Sequence, residues 1–283
     1  MRLFRAVILV LSLCAFLSAQ TLPLEPAHES GASVTGAFEG WFKNPDGTFN
    51  LVLGYFNRNT KEEVDVPIGP DNHIDPGGPD YGQPTHFLLG RQWGMFTIKV
   101  PSDFGNKKLT WTIVANGQPM TIPASLNTDY EISPLSEVAV GNTPPILRFE
   151  ENGPSAQGPV PVITDRTAKA GSPLNVTAWV EDDVKLTTAS GVPPKDLDHP
   201  VTLHWSKFRG PGSVTFSNPR PVVEKLPAGP SRLPFSGKSS ITATFGAAGD
   251  YVLHAVANDY SGEGGSGFQC CWTNGEVKVK VSQ

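Results

Sequence analysis

Residues 201–259 carry three runs in which every second residue is apolar. Such period-two alternation indicates strands that bury one face, and glycine-containing turns separate the runs. A tryptophan on an early strand and a tyrosine at the entry of a later one are the internal arrangement of an immunoglobulin-type sandwich. The stretch therefore predicts an all-β fold with Trp205, Phe245, Tyr251 and Leu253 in its structural core.

The segments LHWSKFRGPGSVTF and TATFGAAGDYVLHAVANDYSG resemble the polycystic-kidney-disease-type (PKD-like) Ig domain of secreted and surface bacterial proteins. PLNVTAWVEDD fits the early strand of that family, and VKVKV fits its last. The resemblance covers residues 144–283, with a long insert at 218–238 and with residues 261–275 in place of a short loop. It implies a non-catalytic adhesion, spacer or binding module, and the family offers no catalytic residues to carry over.

Residues 34–130 predict a second β-sandwich, without resemblance to a known family, or alternatively a barrel. Asp46-Gly47 is a hairpin signal between FEGWFK and TFNLVLGYF, and Asn116-Gly117 ends a later alternating run. Segment 20–33 is predicted to be a linker because it is polar and contains Pro23 and Pro26, and segment 131–143 because it alternates little. The expected architecture is two Ig-like antiparallel β-sandwich domains after a signal peptide.

The start of the chain predicts export. Arg2 and Arg5 precede a short apolar run, and Leu17-Ser18-Ala19 fits a cleavage site, so residues 1–19 indicate a signal peptide. No later segment is apolar enough to span a bilayer. The net charge of −5 does not suit nucleic-acid binding, which needs basic patches. We expect a periplasmic or extracellular protein whose candidate partners are surface proteins or polysaccharides.

Cys270 and Cys271 are the only cysteines left once the signal peptide is removed. In an oxidising compartment they bond to each other, bond between chains or stay free. A vicinal disulfide would stiffen a loop that displays Phe268 and Trp272 to a ligand. The alternative is a pair of packed thiols at a strand start. Redox catalysis is not expected, because there is no CxxC at the start of a helix.

A histidine pair is a candidate metal site. His204 and His254 alternate with core residues on strands expected to be neighbours, so both rings should face outward from one sheet. Two imidazoles beside a carboxylate suit Zn²⁺ or Cu²⁺. The simpler interpretation is two surface histidines.

Oxygen ligands crowd the loop at residues 69–83. Asp71, Asn72, Asp75 and Asp80 suit Ca²⁺, but their spacing matches no known calcium loop. No cofactor is expected apart from these candidate metal ions. The same residue types are common in any irregular loop. A weaker acidic cluster, Glu181-Asp182-Asp183, is interpreted as solvated.

Aromatic residues supply a further binding hypothesis. Trp41, Phe42, Tyr81 and Trp93 are candidates for a glycan platform or, alternatively, for the core. There is no GxSxG, SxxK or P-loop motif.

Three function classes follow. The leading one is a non-catalytic binding, adhesion or spacer protein. The second is a carbohydrate-binding protein, which an exposed row of aromatics would favour. The third is a hydrolase or metal-dependent enzyme, which a deep cleft between the domains with converging His, Asp and Glu would favour.

Overall fold

The computed structural model describes residues 28–137, 141–185, 199–259 and 270–283, so the predicted signal peptide lies outside the described residues. Within these ranges the regular secondary structure is almost entirely β-strand, and the one helical element is a 3-10 turn at Thr128–Tyr130. This confirms the all-β prediction. Buried apolar side chains form two large cores, one built mainly from residues 34–124 and the other from residues 147–281. We call residues 28–137 the N-terminal half and residues 141–283 the C-terminal half.

The N-terminal half encloses its core between small antiparallel sheets. The strands are β1 (Val34–Lys43), β2 (Phe49–Asn57), β3 (Val64–Asp65), β4 (Asn72–Asp75), β5 (His86–Phe87), β6 (Gly90–Val100), β7 (Lys108–Ala115) and β8 (Gln118–Ser125). One sheet has the order β1-β2-β6, a second has the order β4-β7-β8, and β3 pairs with β5. Strands from both three-stranded sheets contribute to the first core.

Two tight turns set the register of this half at the predicted places. Asp46 Oδ1 accepts a hydrogen bond from Thr48 N (3.1 Å), and Gly47 has a φ of +83° between β1 and β2. Asn116 and Gly117 both have positive φ (51° and 73°) between β7 and β8, as a two-residue hairpin turn requires.

The C-terminal half is a sandwich of two larger sheets. The strands are β9 (Ile146–Arg148), β10 (Ser155–Gln157), β11 (Val162–Lys169), β12 (Pro173–Asp182), β13 (Val201–Arg209), β14 (Val214–Phe216), β15 (Glu224–Lys225), β16 (Phe235–Phe245), β17 (Gly249–Asp259) and β18 (Trp272–Ser282). One sheet has the order β10-β9-β12-β16-β14, with β15 also on β16, and the other has the order β11-β18-β17-β13. The pair β11-β18 is parallel, unlike the other strand pairs of the described sheets, and the sequence pattern did not indicate it.

The second core holds the four side chains named from the alternation. Trp205, Phe245, Tyr251 and Leu253 are each at most 1% exposed. The Tyr251 hydroxyl donates to the Ala247 carbonyl (2.9 Å), and its ring meets Phe245 at 4.9 Å between centroids. The corner before β17 is therefore fixed both by packing and by a hydrogen bond.

The described parts of both predicted linkers are packed rather than loose. In the first, Ala32 is buried and its N–H donates to Asn59 Oδ1 (2.7 Å). In the second, Ile132 N donates to the Trp41 carbonyl (2.9 Å), and the Ile132 side chain is buried against Phe42. Residues 28–33 and 131–137 thus extend the N-terminal half, because their backbone groups find partners on it, whereas Asn142 hydrogen bonds to Asp259 of the C-terminal half.

The outer face of the sheet β13-β17-β18 packs against the N-terminal half. Phe208 is 2% exposed and belongs to the core of the N-terminal half, although it lies on β13. His254 on β17 and Asn274 on β18 are buried under the same cover. Asn274 Nδ2 donates to the Gly94 carbonyl across this joint (2.7 Å).

We expect Phe208→Ala to destabilise both halves, because the Phe208 side chain lies on β13 of the C-terminal half but fills the core of the N-terminal half. Truncating a buried phenylalanine costs about 3–5 kcal/mol. Urea unfolding and limited proteolysis measure the effect. Phe56→Ala is the matched control, since Phe56 is 36% exposed. Equal losses in the two variants, or unchanged resistance to proteolysis, would contradict the assigned role of Phe208.

Candidate functional site: the cleft between the halves

A bulge in β13 aims three consecutive side chains at the N-terminal half. The register between β13 and β17 shifts between Lys207 and Arg209, so Phe208 is the extra residue. A bulge bends its strand and redirects the side chains around it. Lys207, Phe208 and Arg209 therefore all reach across the joint.

Two ion pairs flank the buried Phe208. Arg209 donates to both carboxylate oxygens of Asp80 (2.8 and 3.0 Å) and, through Nε, to the Gln83 carbonyl (2.8 Å). The Arg209 hydrogen bond holds the pKa of Asp80 below its ordinary value. On the other side, Lys207 Nζ lies 2.9 Å from Asp65 Oδ1, and the Lys207 side chain is only 8% exposed. Paired, partly buried charges of this kind fix the relative position of the halves.

An open cleft of about 510 Å³ lies beside the Lys207 pair, and both halves line it. Glu63, Asp65 and His86 come from the N-terminal half, on or next to the short pair β3-β5. His204 and Lys207 on β13 face them, and an apolar wall completes the cleft. That wall includes Leu88, Pro211, Val214, Phe216 and Pro219.

His86 is the centre of the polar wall. Its Nδ1 lies 3.0 Å from Asp65 Oδ1, and its Nε2 lies 3.1 Å from Glu63 Oε2. The His86 side chain is only 10% exposed, whereas the two carboxylates are about half exposed. The imidazole thus holds the carboxylates in place, and their remaining oxygens can accept hydrogen bonds from a ligand. The cleft is a fixed array of acceptors beside an apolar surface.

The sequence did not single out Glu63, Asp65, His86 or Lys207. One signal was present: the alternation of β13 buries Val201, Leu203 and Trp205, and the next inward position would be Lys207. A charged residue at an inward position indicates that the inward–outward alternation of the strand is interrupted there, and the bulge causes this interruption.

The predicted histidine pair is not a surface pair. His254 lies opposite Ser206 in the register, while His204 lies opposite Val256. His254 is fully buried and packs on the Phe208 ring at 5.2 Å between centroids. The His254 side chain does point away from the core of the C-terminal half, as predicted, but the N-terminal half covers the outer face of the sheet. The interpretation of His254 as a surface histidine is therefore wrong.

Buried His254 makes stability depend on pH. Burial, followed by the nearby charge of His204, lowers the pKa of His254 to about 3. The folded chain then binds fewer protons than the unfolded chain, whose histidine has a pKa of about 6.5. The contribution of His254 to the free energy of unfolding is complete above pH 6.5. It is lost as the pH falls toward 3, by at most about 1.4 kcal/mol per pH unit. Glu276, opposite His254 in the register, has a raised pKa because of burial and acts in the other direction.

Between pH 6.5 and pH 4, we expect the free energy of unfolding of His254→Phe to fall less than that of the wild type, because phenylalanine has no group that can be protonated. Urea midpoints across this range measure the difference. His199→Phe, at an exposed position, is the control. Parallel pH curves for the wild type and His254→Phe would show that His254 does not titrate in this way.

Cys270 and Cys271 form a vicinal disulfide in the structure, and both residues are buried. Phe268 lies outside the described residues. Trp272 is partly buried: its indole packs on the cluster of Phe42, Val52 and Ile132, and Nε1 lies 3.4 Å from the Gly94 carbonyl. The aromatic of this segment therefore belongs to the joint between the halves.

The vicinal bond predicts that the unreduced protein is lighter than the reduced protein by the mass of two hydrogen atoms. It should also take up no alkylating agent until it is reduced and unfolded, since neither sulfur is a free thiol. Intact mass spectrometry with and without reduction measures both. Alkylation of the unreduced, unfolded chain at either cysteine would rule the bond out.

The four candidate calcium ligands at residues 69–83 have separate roles. Asn72 is buried, accepts from Trp111 Nε1 (3.0 Å) and donates to two backbone carbonyls. Asp80 is paired with Arg209, and Asp75 lies 3.3 Å from His73. Asp71 contributes its carbonyl to Val114 N. Among the described residues no group of three His, Cys, Asp or Glu side chains is arranged to hold a metal.

The candidate aromatics form no row. Trp41 and Phe42 are buried, and the Tyr81 hydroxyl donates to the Pro76 carbonyl (2.6 Å) within its own loop. Trp93 is 47% exposed, but Arg91 covers its ring at 3.9 Å. This favours the core interpretation for Trp41 and Phe42.

Comparisons with known proteins add little to this picture. No family model and no curated protein matches the chain. Domains 4 and 5 of the S-layer protein SbsC are 11% identical, over 89% of this chain and 98% of that one, with a TM-score of 0.24. A protein of unknown function from Porphyromonas gingivalis W83 is 10% identical, over 88% of this chain and 100% of that one, with the same TM-score. Similarity at this level carries no argument about function.

Across the described ranges, no helix has the length and apolar character needed to cross a membrane.

Proposed function

We propose that the chain is an exported, non-catalytic binding protein that holds a segment of a surface polymer, a polysaccharide or another protein, in the cleft between its halves. The cleft itself, with walls from both halves, is the observation that carries the proposal. Its volume of about 510 Å³ lies in the range of small-molecule sites. Export rests on the signal-peptide pattern of residues 1–19.

The rigidity of the walls supports binding. Phe208 anchors β13 in the first core, and the Lys207 and Arg209 ion pairs lie on either side of it. A ligand that enters the cleft meets groups already in position, so little conformational entropy is lost when it binds. A loose joint between the halves would lack this property.

The arrangement around His86 favours a non-catalytic role. Both ring nitrogens are engaged by carboxylates, at 3.0 and 3.1 Å. A general base needs a ring nitrogen facing the proton that it removes, and a metal ligand needs a free lone pair. His86 offers neither while Glu63 and Asp65 hold it. The carboxylates remain suited to accept hydrogen bonds from sugar hydroxyls or peptide N–H groups.

A binding screen on glycan arrays and cell-envelope fractions tests the proposal. We expect Glu63→Ala to weaken binding about 10- to 150-fold, because a hydrogen bond to a charged group contributes about 1.5–3 kcal/mol. Glu29→Ala is the matched control, since Glu29 is an exposed partner of Lys61 away from the cleft. Equal affinity of wild type and Glu63→Ala, or no binding of the wild type to any polymer, would contradict the proposal.

A hydrolase is the second candidate, because the cleft does bring His86, Asp65 and Glu63 together between the halves. The test is turnover of chromogenic esters, amides and glycosides by the wild type. Turnover that His86→Ala abolishes, while Glu29→Ala retains it, would establish the hydrolase and overturn the non-catalytic proposal.

A further inference from the structure

A second polar site lies where the chain enters the C-terminal half. Asp182 ends β12 and Asp259 ends β17, and both are buried, at 1% and 2% exposure. Asn142, fully buried on the incoming chain, donates from Nδ2 to Asp259 Oδ2 (2.6 Å). The interpretation of the Glu181-Asp182-Asp183 cluster as solvated is wrong, because Glu181 is also buried and pairs with Arg148.

Asp182 is the unusual member of this site. Its Oδ1 accepts a hydrogen bond from Val184 N (2.8 Å). Its Oδ2 is buried and has no hydrogen-bond partner, and among the described residues no lysine or arginine pairs with Asp182. A buried carboxylate without a cationic partner, and with one oxygen unpaired, is costly in its ionised form. Oδ2 of Asp182 therefore lacks both a hydrogen bond and a positive charge from the described residues.

The electrostatics of Asp182 agree with its geometry. Burial, and then the negative charges of Asp259 and Asp183, raise the pKa of Asp182 to about 7. The two buried carboxylates are thus close enough to repel each other near neutral pH. A proton relieves this repulsion in part, whereas a divalent cation between the carboxylates relieves it completely.

We propose that Asp182 and Asp259 bind a Ca²⁺ ion, with an oxygen of Asn142 and water completing the shell. Every atom offered as a metal ligand is an oxygen, as Ca²⁺ prefers, and the two carboxylates balance the charge of the ion. Zn²⁺ would favour nitrogen or thiolate ligands, and the sulfurs nearby are bonded to each other. Because only two side chains are carboxylates, the affinity belongs with extracellular modules, at a Kd of about 10⁻⁴–10⁻³ M.

The neighbouring contacts give the ion a structural role. The Asn142 carbonyl accepts from Glu137 N (2.7 Å), so it connects to the last described part of the N-terminal half. The sulfurs of Cys270 and Cys271 lie 3.9 and 3.6 Å from the same carbonyl. Ca²⁺ at this position would tie the incoming chain to the ends of β12 and β17.

Thermal unfolding of the full chain at pH 8, with CaCl₂ or with EDTA, tests the site. We expect saturating Ca²⁺ to raise the Tm by about 5 °C, through preferential binding to the folded state. Asp182→Asn should abolish this shift and remain folded, because it removes a repulsive charge. Asp75→Asn, an exposed aspartate in the loop at residues 69–83, is the control and should keep the full shift.

Luminescence of bound Tb³⁺, displaced by Ca²⁺, gives a second readout that does not depend on stability. We expect displacement in the wild type and in Asp75→Asn, and loss of the signal in Asp182→Asn and Asp259→Asn. A Tm that does not respond to Ca²⁺ but rises as the pH falls from 7 to 4 would show that Asp182 is simply protonated. That result, or an equal Ca²⁺ shift in Asp182→Asn, would overturn the proposal.

Discussion

The packing of Phe208 into the core of the other half is the interaction on which the architecture depends. A buried phenylalanine contributes about 1.5–3 kcal/mol, and here that contribution exists only when both halves are in place. The bulge between Lys207 and Arg209 accompanies this packing, because in a regular strand Lys207 would point into its own core. One irregularity in one strand thus turns two β-layered cores into a single body with a cleft of fixed shape.

Polar groups in the joint determine its geometry more than its stability. Buried ion pairs and hydrogen bonds often contribute little net free energy, because desolvation opposes them, but a wrong alignment leaves them unpaired. Asn274 must meet the Gly94 carbonyl, and Arg209 must meet Asp80 with both of its terminal nitrogens. Sliding one half over the other by a single residue would break both contacts. The apolar anchor supplies affinity between the halves, and the polar contacts select one alignment.

Alternation predicted the strands well, since it reports directly which side chains face the core of their own sandwich. It assigned Trp205 and Tyr251 correctly but left His254 on the surface, because period two cannot show whether a second half covers the outer face. The cleft was harder still. His86 and Asp65 lie on strands of two residues, which are too short for any period, and long-range pairing alone brings them to Lys207. The loop at residues 69–83 misled the prediction because Asn72, which offers an oxygen ligand in the sequence, is buried and bonded to Trp111.

The treatment of buried charge distinguishes structural from functional groups in this protein. Arg148 and Glu181 neutralise each other, and Ser231 hydrogen bonds to both. Lys207 is neutralised by Asp65. His254 avoids charge altogether, because burial favours the neutral imidazole. Asp182 follows none of these patterns: it is buried, acidic and without a cationic partner among the described residues. Stability alone gives no reason to keep a buried carboxylate without a cationic partner, and buried acids of this kind are characteristic of sites that bind something.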